Sequence, residues 1–469
     1  MRANKTILAL AASVAVAGCS LAPDYQRPDM PFAAKWDADT SVSGPLKWRD
    51  QFTDPELQRL IELGLVNNRD LKLATLNVAE YQARYRISRD SLLPVANGDA
   101  ALTRASNLNG NQMYTTTYSV GAGLSWEIDF FGLIRNQKNA ALENYFAVVE
   151  NRKSAQISLI AAIANAYYTY VADKELLALS AETLKTEQYS YQLTKSKYDL
   201  GEASELELSQ SKTAVASSEI SVANYERVLK LDYNSLLILV GTELPDFDSL
   251  KKITNIEVAA IPVGAETTLL EQRPDIMAAE HQLKAANYSI GVAKAALFPR
   301  ISLSAAFGWI APEAGGLFES QNDYWSIGPA LTFPIFNAAV YGEMDVADIA
   351  KEKAVVNYEK TIQTAFKEVS DALKSFDSLN KQYKSQQDLY AATKKYFEMA
   401  DQRYNLGVDS YLTRLDAQRQ YVSARQGLVN TKLQQLQTQI NLYKAIGGGW
   451  DETYDAQLEG QGADETKDE

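Results

Sequence analysis

The decapeptide KYDLGEASEL, starting at Lys197, returns as RYNLGVDSYL at Arg403, 206 positions later, with Tyr, Leu, Gly, Ser and Leu in the same places. The offset extends well beyond this turn. NRDLKLA (68–74) falls on RPDIMAA (273–279), Pro94 on Pro299, SVGAGL (119–124) on SIGPAL (326–331), AVV (147–149) on AVV (354–356), and LVG (239–241) on AIG (445–447). An offset held within two residues over about 170 positions marks a structural unit present twice. Any fold proposed for this chain must therefore supply each of its elements in duplicate.

Each copy contains strand patterns. From Tyr118, the residues Tyr118, Val120, Ala122, Leu124, Trp126 and Ile128 fall on one face, and Thr117, Ser119, Gly121, Gly123, Ser125 and Glu127 on the other. This is the period of two of a strand with one apolar and one polar side. The second copy repeats it with Trp325, Ile327, Leu331, Phe333 and Ile335, and ISLSAAFGW (301–309) alternates in the same way, while a weaker run at 95–104 makes a fourth strand. Segments of about ten residues with aromatics near their ends fit tilted strands crossing a bilayer in a barrel. Four strands cannot close a barrel, and open edges are not tolerated in lipid, so other subunits must supply the rest. Two chains would give eight strands and a filled interior, three would give twelve and a lumen.

The remaining pattern is helical and long. About 65 residues between Gly132 and Tyr198, and about 60 between Gly342 and Tyr404, contain no proline, which makes rods of roughly 90–100 Å. The return helices span 203–240 and 409–446, and the second carries Leu415, Val422, Val429, Leu436 and Tyr443 at sevenfold spacing, flanked by Leu412, Leu433 and Ile440. That is a coiled-coil seam. Gly201 and Gly407 stand where each rod must reverse. The two tips, Tyr198, Leu200 and Gly201 in one and Leu406 and Gly407 in the other, form a repeated edge suited to a partner built of helical hairpins.

The predicted organisation is a signal peptide (1–18), an N-terminal segment (19–67), a first repeat (68–241) with a β-hairpin at about 95–130 and a helical hairpin at 133–241, a linker (242–272), a second repeat (273–447) with a β-hairpin at about 300–336 and a helical hairpin at 340–447, and a tail (448–469). The segments outside the repeats read as a belt around the middle of the rods, with Asp54 and Pro55 opening a short helix as cap and first residue. The fold class is mainly α with a membrane β-barrel.

Residues 1–18 have a basic start (Arg2, Lys5), an apolar stretch and small residues before Cys19, the layout of a cleaved secretory signal. Losing Arg2 and Lys5 takes the formal net charge from −13 to −15, which sets nucleic acid aside as a partner. After the signal, no stretch reaches 18 uninterrupted apolar residues, so no membrane-spanning helix is expected. Cys19 is the only cysteine and cannot form an intrachain disulfide. VAGC resembles a bacterial lipobox, which implies lipid on Cys19, and Ser20 behind it is similar to an outer-membrane sorting signal.

Catalytic material is sparse. His281 is the only histidine, too few for a metal site or a nucleophile–base pair of the usual kind. GGGW (447–450) follows a helix instead of preceding one and lacks the Lys-Ser/Thr of a phosphate loop. The chain does not read as an enzyme and needs no cofactor beyond the covalent lipid. A pore-less periplasmic coiled-coil or adaptor lipoprotein is the rival class, disfavoured by the lipid-type alternation at 117–128. The charge pattern with most to offer is Asp409, Leu412, Asp416 and Arg419, a single stripe along the first turns after Gly407. Its counterpart in the first copy has Glu205, Leu206 and Gln210 at the positions of Tyr411, Leu412 and Asp416.

Together with the lipobox, PDYQRP (23–28), FTDPELQRLI (52–61), NRDL (68–71), WEIDFFG (126–132), RPDI (273–276), LFP (297–299) and GVDSYLTRLDAQR (407–419) resemble the TolC/OprM-like outer-membrane factors over nearly the whole chain. The resemblance implies a homotrimer whose subunits each give four strands to one twelve-stranded barrel in the outer membrane of a Gram-negative cell, and their helical hairpins to one periplasmic tunnel. It also implies a role as exit duct of a tripartite pump, with a periplasmic membrane-fusion adaptor and an inner-membrane RND-type transporter as partners. Leu412 and Asp416 match constriction positions of that family, and Arg419 and Tyr404 match its lock.

Overall fold

The computed structural model describes residues 20–28, 47–107, 113–246, 250–257 and 272–448. Cys19, the signal segment and the tail beyond Gly448 lie outside the described residues. The elements recur as the repeat demands. After two short helices, α1 (Trp48–Gln51) and α2 (Pro55–Asn67), the first copy runs α3 (Arg69–Asp90), β1 (Val95–Asn107), β2 (Met113–Ile128), α4 (Leu133–Asp199) and α5 (Glu205–Val240). The second runs α6 (Pro274–Ala295), β3 (Arg300–Ala311), β4 (Asp323–Thr332), α7 (Ala338–Asn405) and α8 (Tyr411–Ala445). α4 and α7 have 67 and 68 residues and contain no proline, the residue that would remove a helical hydrogen bond and clash one turn back.

The four strands form one antiparallel sheet in the order β1-β2-β3-β4. Register brings the apolar sides together: Val120 faces Trp309, Ala122 faces Phe307, and Trp126 faces Leu303, while Phe307 faces Trp325 and Ala305 faces Ile327. A slip of one residue would turn every one of these side chains to the opposite face. The apolar side is left open: Trp325 is 73% exposed and Ile327 64%. The other side carries serines and glycines, and there Gly121 and Gly308 leave room for Tyr324. A Cβ on Gly308 would lie 2.5 Å from the Val120 carbonyl oxygen and 3.0 Å from the Tyr324 ring. The alternation read through Phe333 and Ile335 runs too far. β4 ends at Thr332, and Pro334 cannot donate to a ladder.

By contacts the chain divides into two compact units, each built from both repeats. One holds Leu76–Glu150, Met277–Thr361 and the described N-terminal residues; the other holds Asn151–Ile276, the chain from Ile362 onward, and residues 47–75. In the second unit an apolar core gathers Trp48, Phe52, Leu57, Leu60 and Ile61 against the Ile157–Leu179 stretch of α4, Leu236 and Val240 of α5, and Val429, Leu436, Ile440 and Tyr443 of α8. Full burial of each large side chain is worth about 1.5–3 kcal/mol. Of the seam positions of α8, Leu415, Val429, Leu436, Ile440 and Tyr443 are buried, Val422 and Leu433 are half-buried, and Leu412 is 59% exposed. α2 starts as expected: Asp54 accepts from the Glu56 amide and Pro55 is the first helical residue.

The expected belt is divided between the units. Residues 47–67 lie on the middle of α4, but residues 20–28 run along α6. Ser20 donates to Asn136 Oδ1 (2.8 Å), Asn287 donates to the Pro23 carbonyl (2.6 Å), and Arg27 pairs with Glu280 (2.7 Å). A Cβ on Gly291 would lie 2.8 Å from the Ala22 Cα, so only glycine lets this segment lie so close.

Candidate functional site

Both tips close in the same way. Gly201 (φ +76°) and Gly407 (φ +72°) take the left-handed conformation; their amides donate to Tyr198 and Tyr404, and the next amides donate to the carbonyls of Lys197 and Arg403. This is the paired bonding of a Schellman termination. Ser204 and Ser410 then cap the return helices through the amides of Glu207 and Thr413. The repeated Tyr-x-Leu-Gly-x-x-Ser is therefore a helix stop followed by a helix start. Leu200 and Leu406 are 75% and 79% exposed, so both tips present apolar side chains.

The five stripe and lock residues take three different environments. Leu412, Asp416 and Arg419 share the exposed face of α8, opposite buried Tyr411, Arg414, Leu415 and Gln418. Asp416 accepts from Gln420 (2.8 Å). Asp409 leaves the stripe and closes the tip instead, taking a two-point fork from Arg403 at 2.6 and 2.8 Å. Hydrogen bonding to that guanidinium holds the Asp409 carboxyl below its ordinary value. Tyr404 turns inward and packs with Tyr411, Leu415 and Ala214, under the Lys197 ammonium, 5.0 Å from its ring centroid.

The sequence reading missed Arg403, Lys197 and Arg414. Arg414, with only 6% of its side chain exposed, donates to Asp401 on α7 (2.6 Å) and to Ser190 on α4 (3.1 Å). A buried arginine is rare enough to be a signal, but nothing in the sequence names its partners. His281 lies 2.7 Å from Glu143, with Phe146 beside its ring. Among the described residues no group of three or more His, Cys, Asp or Glu could hold a metal ion.

Higher on the first hairpin, Asp173 is pushed up to about 7 by burial first, and then by the hydrogen bond and charge of Asp232. Burial raises Asp232 as well. The folded chain holds this proton more tightly than an unfolded one with an ordinary value of 3.8, so stability falls as pH rises from about 4 towards 7. We expect the urea midpoint of the solubilised protein to be higher at pH 5 than at pH 7.5, and the Asp173→Asn variant, which lacks the titrating carboxyl, to lose most of that slope. The same slope in both proteins would remove the carboxyl pair as its cause.

The profile of the outer membrane efflux protein family fits residues 60–242 and again 267–448, so it meets each repeat once. The probable efflux pump outer membrane protein TtgC of Pseudomonas putida is 43% identical over 465 residues, covering 95% of this chain and 96% of its own. Among solved structures, the MtrE outer membrane channel of Neisseria gonorrhoeae, captured in its open state, matches with a TM-score of 0.84 at 34% identity, over 92% of this chain and 98% of its own. The CmeC outer membrane channel of Campylobacter jejuni matches at 0.87 with 28% identity, over 94% and 98%. The repeat, the lipid-type sheet with two free edges and the paired helical hairpins thus have the same source: the chain belongs to the outer membrane efflux protein family, with its strands in the outer membrane and its helices in the periplasm.

Proposed function

We propose that this efflux component works as a homotrimeric, passive exit duct, which takes small molecules from an inner-membrane RND-type transporter through a periplasmic adaptor and releases them outside. The observation that carries the reading is the sheet. Its central strands are paired, β1 and β4 are its two edges, and one face is broadly apolar. Unpaired edges cost several kcal/mol per backbone group in lipid. Three copies joined β4 to β1 close a twelve-stranded ring with no edge left and a lumen wide enough for cargo. Exposed apolar side chains on the helices, Val346, Ile349 and Val356 on α7 and Leu73 and Leu76 on α3, are further surface for neighbouring subunits to cover.

The tips with Tyr198, Leu200, Gly201, Leu406 and Gly407 are the proposed adaptor edge, six per trimer. The face with Leu412, Asp416 and Arg419, close to Tyr404 and Asp409, is the proposed periplasmic gate. We place a lipid anchor on Cys19; the hold of Asn136 on Ser20, one turn into the helix that follows β2, supports an anchor at the level where barrel meets helix. No catalytic step and no bound cofactor enter this scheme. Purified protein carrying metabolically incorporated fatty acid at Cys19 is expected to cross-link to a trimer and to conduct in planar bilayers. A lipidated trimer that never conducts would favour the pore-less adaptor reading instead.

A further inference from the structure

The lipid-facing side of the sheet carries one cation among its described residues. The register sets Ala96, Gly98, Ala100 and Leu102 of β1 beside the apolar row of β2, and the next pair on that side is Arg104 with Thr116. An apolar run therefore ends in a guanidinium.

Its level in the membrane follows from the strand. The Trp126 indole donates to the Leu92 carbonyl (2.9 Å), just beyond the end of α3, and so marks the periplasmic border. Thr116 lies ten residues further along β2, which at about 3.3 Å per residue and a tilt of about 40° is about 25 Å along the membrane normal, the height of an outer-membrane apolar band. Arg104 stands at the outer border. Aromatic rings gather at the same end: Tyr114 and Tyr118 on either side of Thr116, Trp309 on β3, and Phe318, which packs on Trp309 from the β3–β4 connection (5.4 Å between centroids).

Around Arg104 the lipid-facing side offers hydroxyls and rings. Its guanidinium lies 4.9 Å from the centroid of the Tyr114 ring, a contact that favours one plane for the fork. Thr116 is directly across, and Ser106 follows on the same side of β1. Among the described residues no carboxylate pairs with Arg104. Asp99 falls on the lumen side of β1, and Asp323, the one acid on the lipid-facing side, is three strands away on β4. A cation at the edge of hydrocarbon turns its head outward and takes an anion where one is at hand.

We propose that Arg104, with the hydroxyls of Ser106 and Thr116, binds a phosphate of lipid A, the phosphorylated glycolipid of the outer leaflet, whose acyl chains then lie along the apolar side of β1 and β2. The planar fork suits two oxygens of one phosphate. Phospholipid headgroups belong to the inner leaflet, at the level of Trp126. The assignment rests on the strands being in the outer membrane and is independent of the duct reading.

Full-length protein, purified in detergent and washed free of lipopolysaccharide, is titrated with bisphosphoryl lipid A, and occupancy is read by native mass spectrometry. Arg104→Ala is expected to weaken binding about fivefold or more, and Arg104→Lys to weaken it less. Arg300→Ala, at the periplasmic end of β3 and on the lumen side, should leave it unchanged. Lipid A stripped of its phosphates should bind the wild type about as weakly as the bisphosphoryl form binds Arg104→Ala. Equal affinity of wild type and Arg104→Ala, or an equal loss in Arg300→Ala, would overturn the site. Equal binding of the two glycolipids to the wild type would do so as well, even where a variant fails to insert. Phosphatidylglycerol bound as tightly as lipid A, with the same dependence on Arg104, would overturn the glycolipid assignment. So would Asp323→Asn losing heat resistance in step with Arg104→Ala while both keep wild-type affinity, since Arg104 would then pair with a carboxylate of a neighbouring copy.

Discussion

Exchange of Gly241 for valine is expected to remove the folded protein from the outer membrane, at a cost of more than about 4 kcal/mol. Gly241 ends α5 at φ +75°, a conformation that costs a branched residue about 1–2 kcal/mol. Its Cβ would also lie 2.5 Å from the Asn67 carbonyl oxygen and 2.8 Å from the carbonyl carbon, both backbone atoms that cannot swing aside. The junction has no slack: Asn68 donates to the Leu239 carbonyl while accepting from the Leu71 amide, so α2, α3 and the end of α5 are fixed together. Gly328→Ala is the control, because nothing lies within 4 Å of a Cβ there. Semi-native electrophoresis of membrane fractions reads the result. Folded protein at wild-type level in Gly241→Val would show that the junction can relax.

A second large effect is expected at the proposed gate. With three subunits, the exposed faces bearing Leu412 and Asp416 would converge, and three carboxylates in a narrow pore repel one another unless water or a cation intervenes. Asp416→Ala combined with Leu412→Ala should raise single-channel conductance at least about twofold. Millimolar divalent cation should block the wild type and spare the variant, since the cation has lost the carboxylates it bridges. Bilayer recordings at matched salt decide the matter. Unchanged conductance together with identical block would put the constriction elsewhere, and the face would be an ordinary solvated one. From the acidic balance of the chain, reversal potentials in a salt gradient are expected to show a preference for cations over anions.

The elements that repeat were the legible ones. Two long helices without proline, two glycines at matching reversals and the alternation of β2 are local patterns, and the structure keeps them to within a few residues. β1 was faint because Asn97, Gly98, Asp99 and Arg104 interrupt its apolar side or weaken its propensity. Residues 20–28 were misplaced for a different reason: their partners Asn136, Glu280, Asn287 and Tyr358 are scattered over the chain. At the candidate site, spacing alone put Leu412, Asp416 and Arg419 on one face. Spacing could not show that Asp409 bonds Arg403 across the turn, or that Arg414 reaches a serine on another hairpin. Those pairings belong to tertiary structure and leave no periodic trace.

The order of the sheet governs how the chain can mature after export. β2 pairs with β3, and Ile128 meets Ile301 only after the whole first helical hairpin has been made. A chain leaving the translocation machinery from its N-terminus would therefore show β1 and β2 first, as a two-stranded ribbon with Leu124 and Trp126 uncovered and β3 not yet exported. Such ribbons are marginal in water and prone to pair wrongly. Closing the β2–β3 ladder carries the entropy of a very long loop, so the helical hairpin, whose contacts are local, forms ahead of it. On this order the periplasmic half of a maturing subunit is expected to be built before its membrane half.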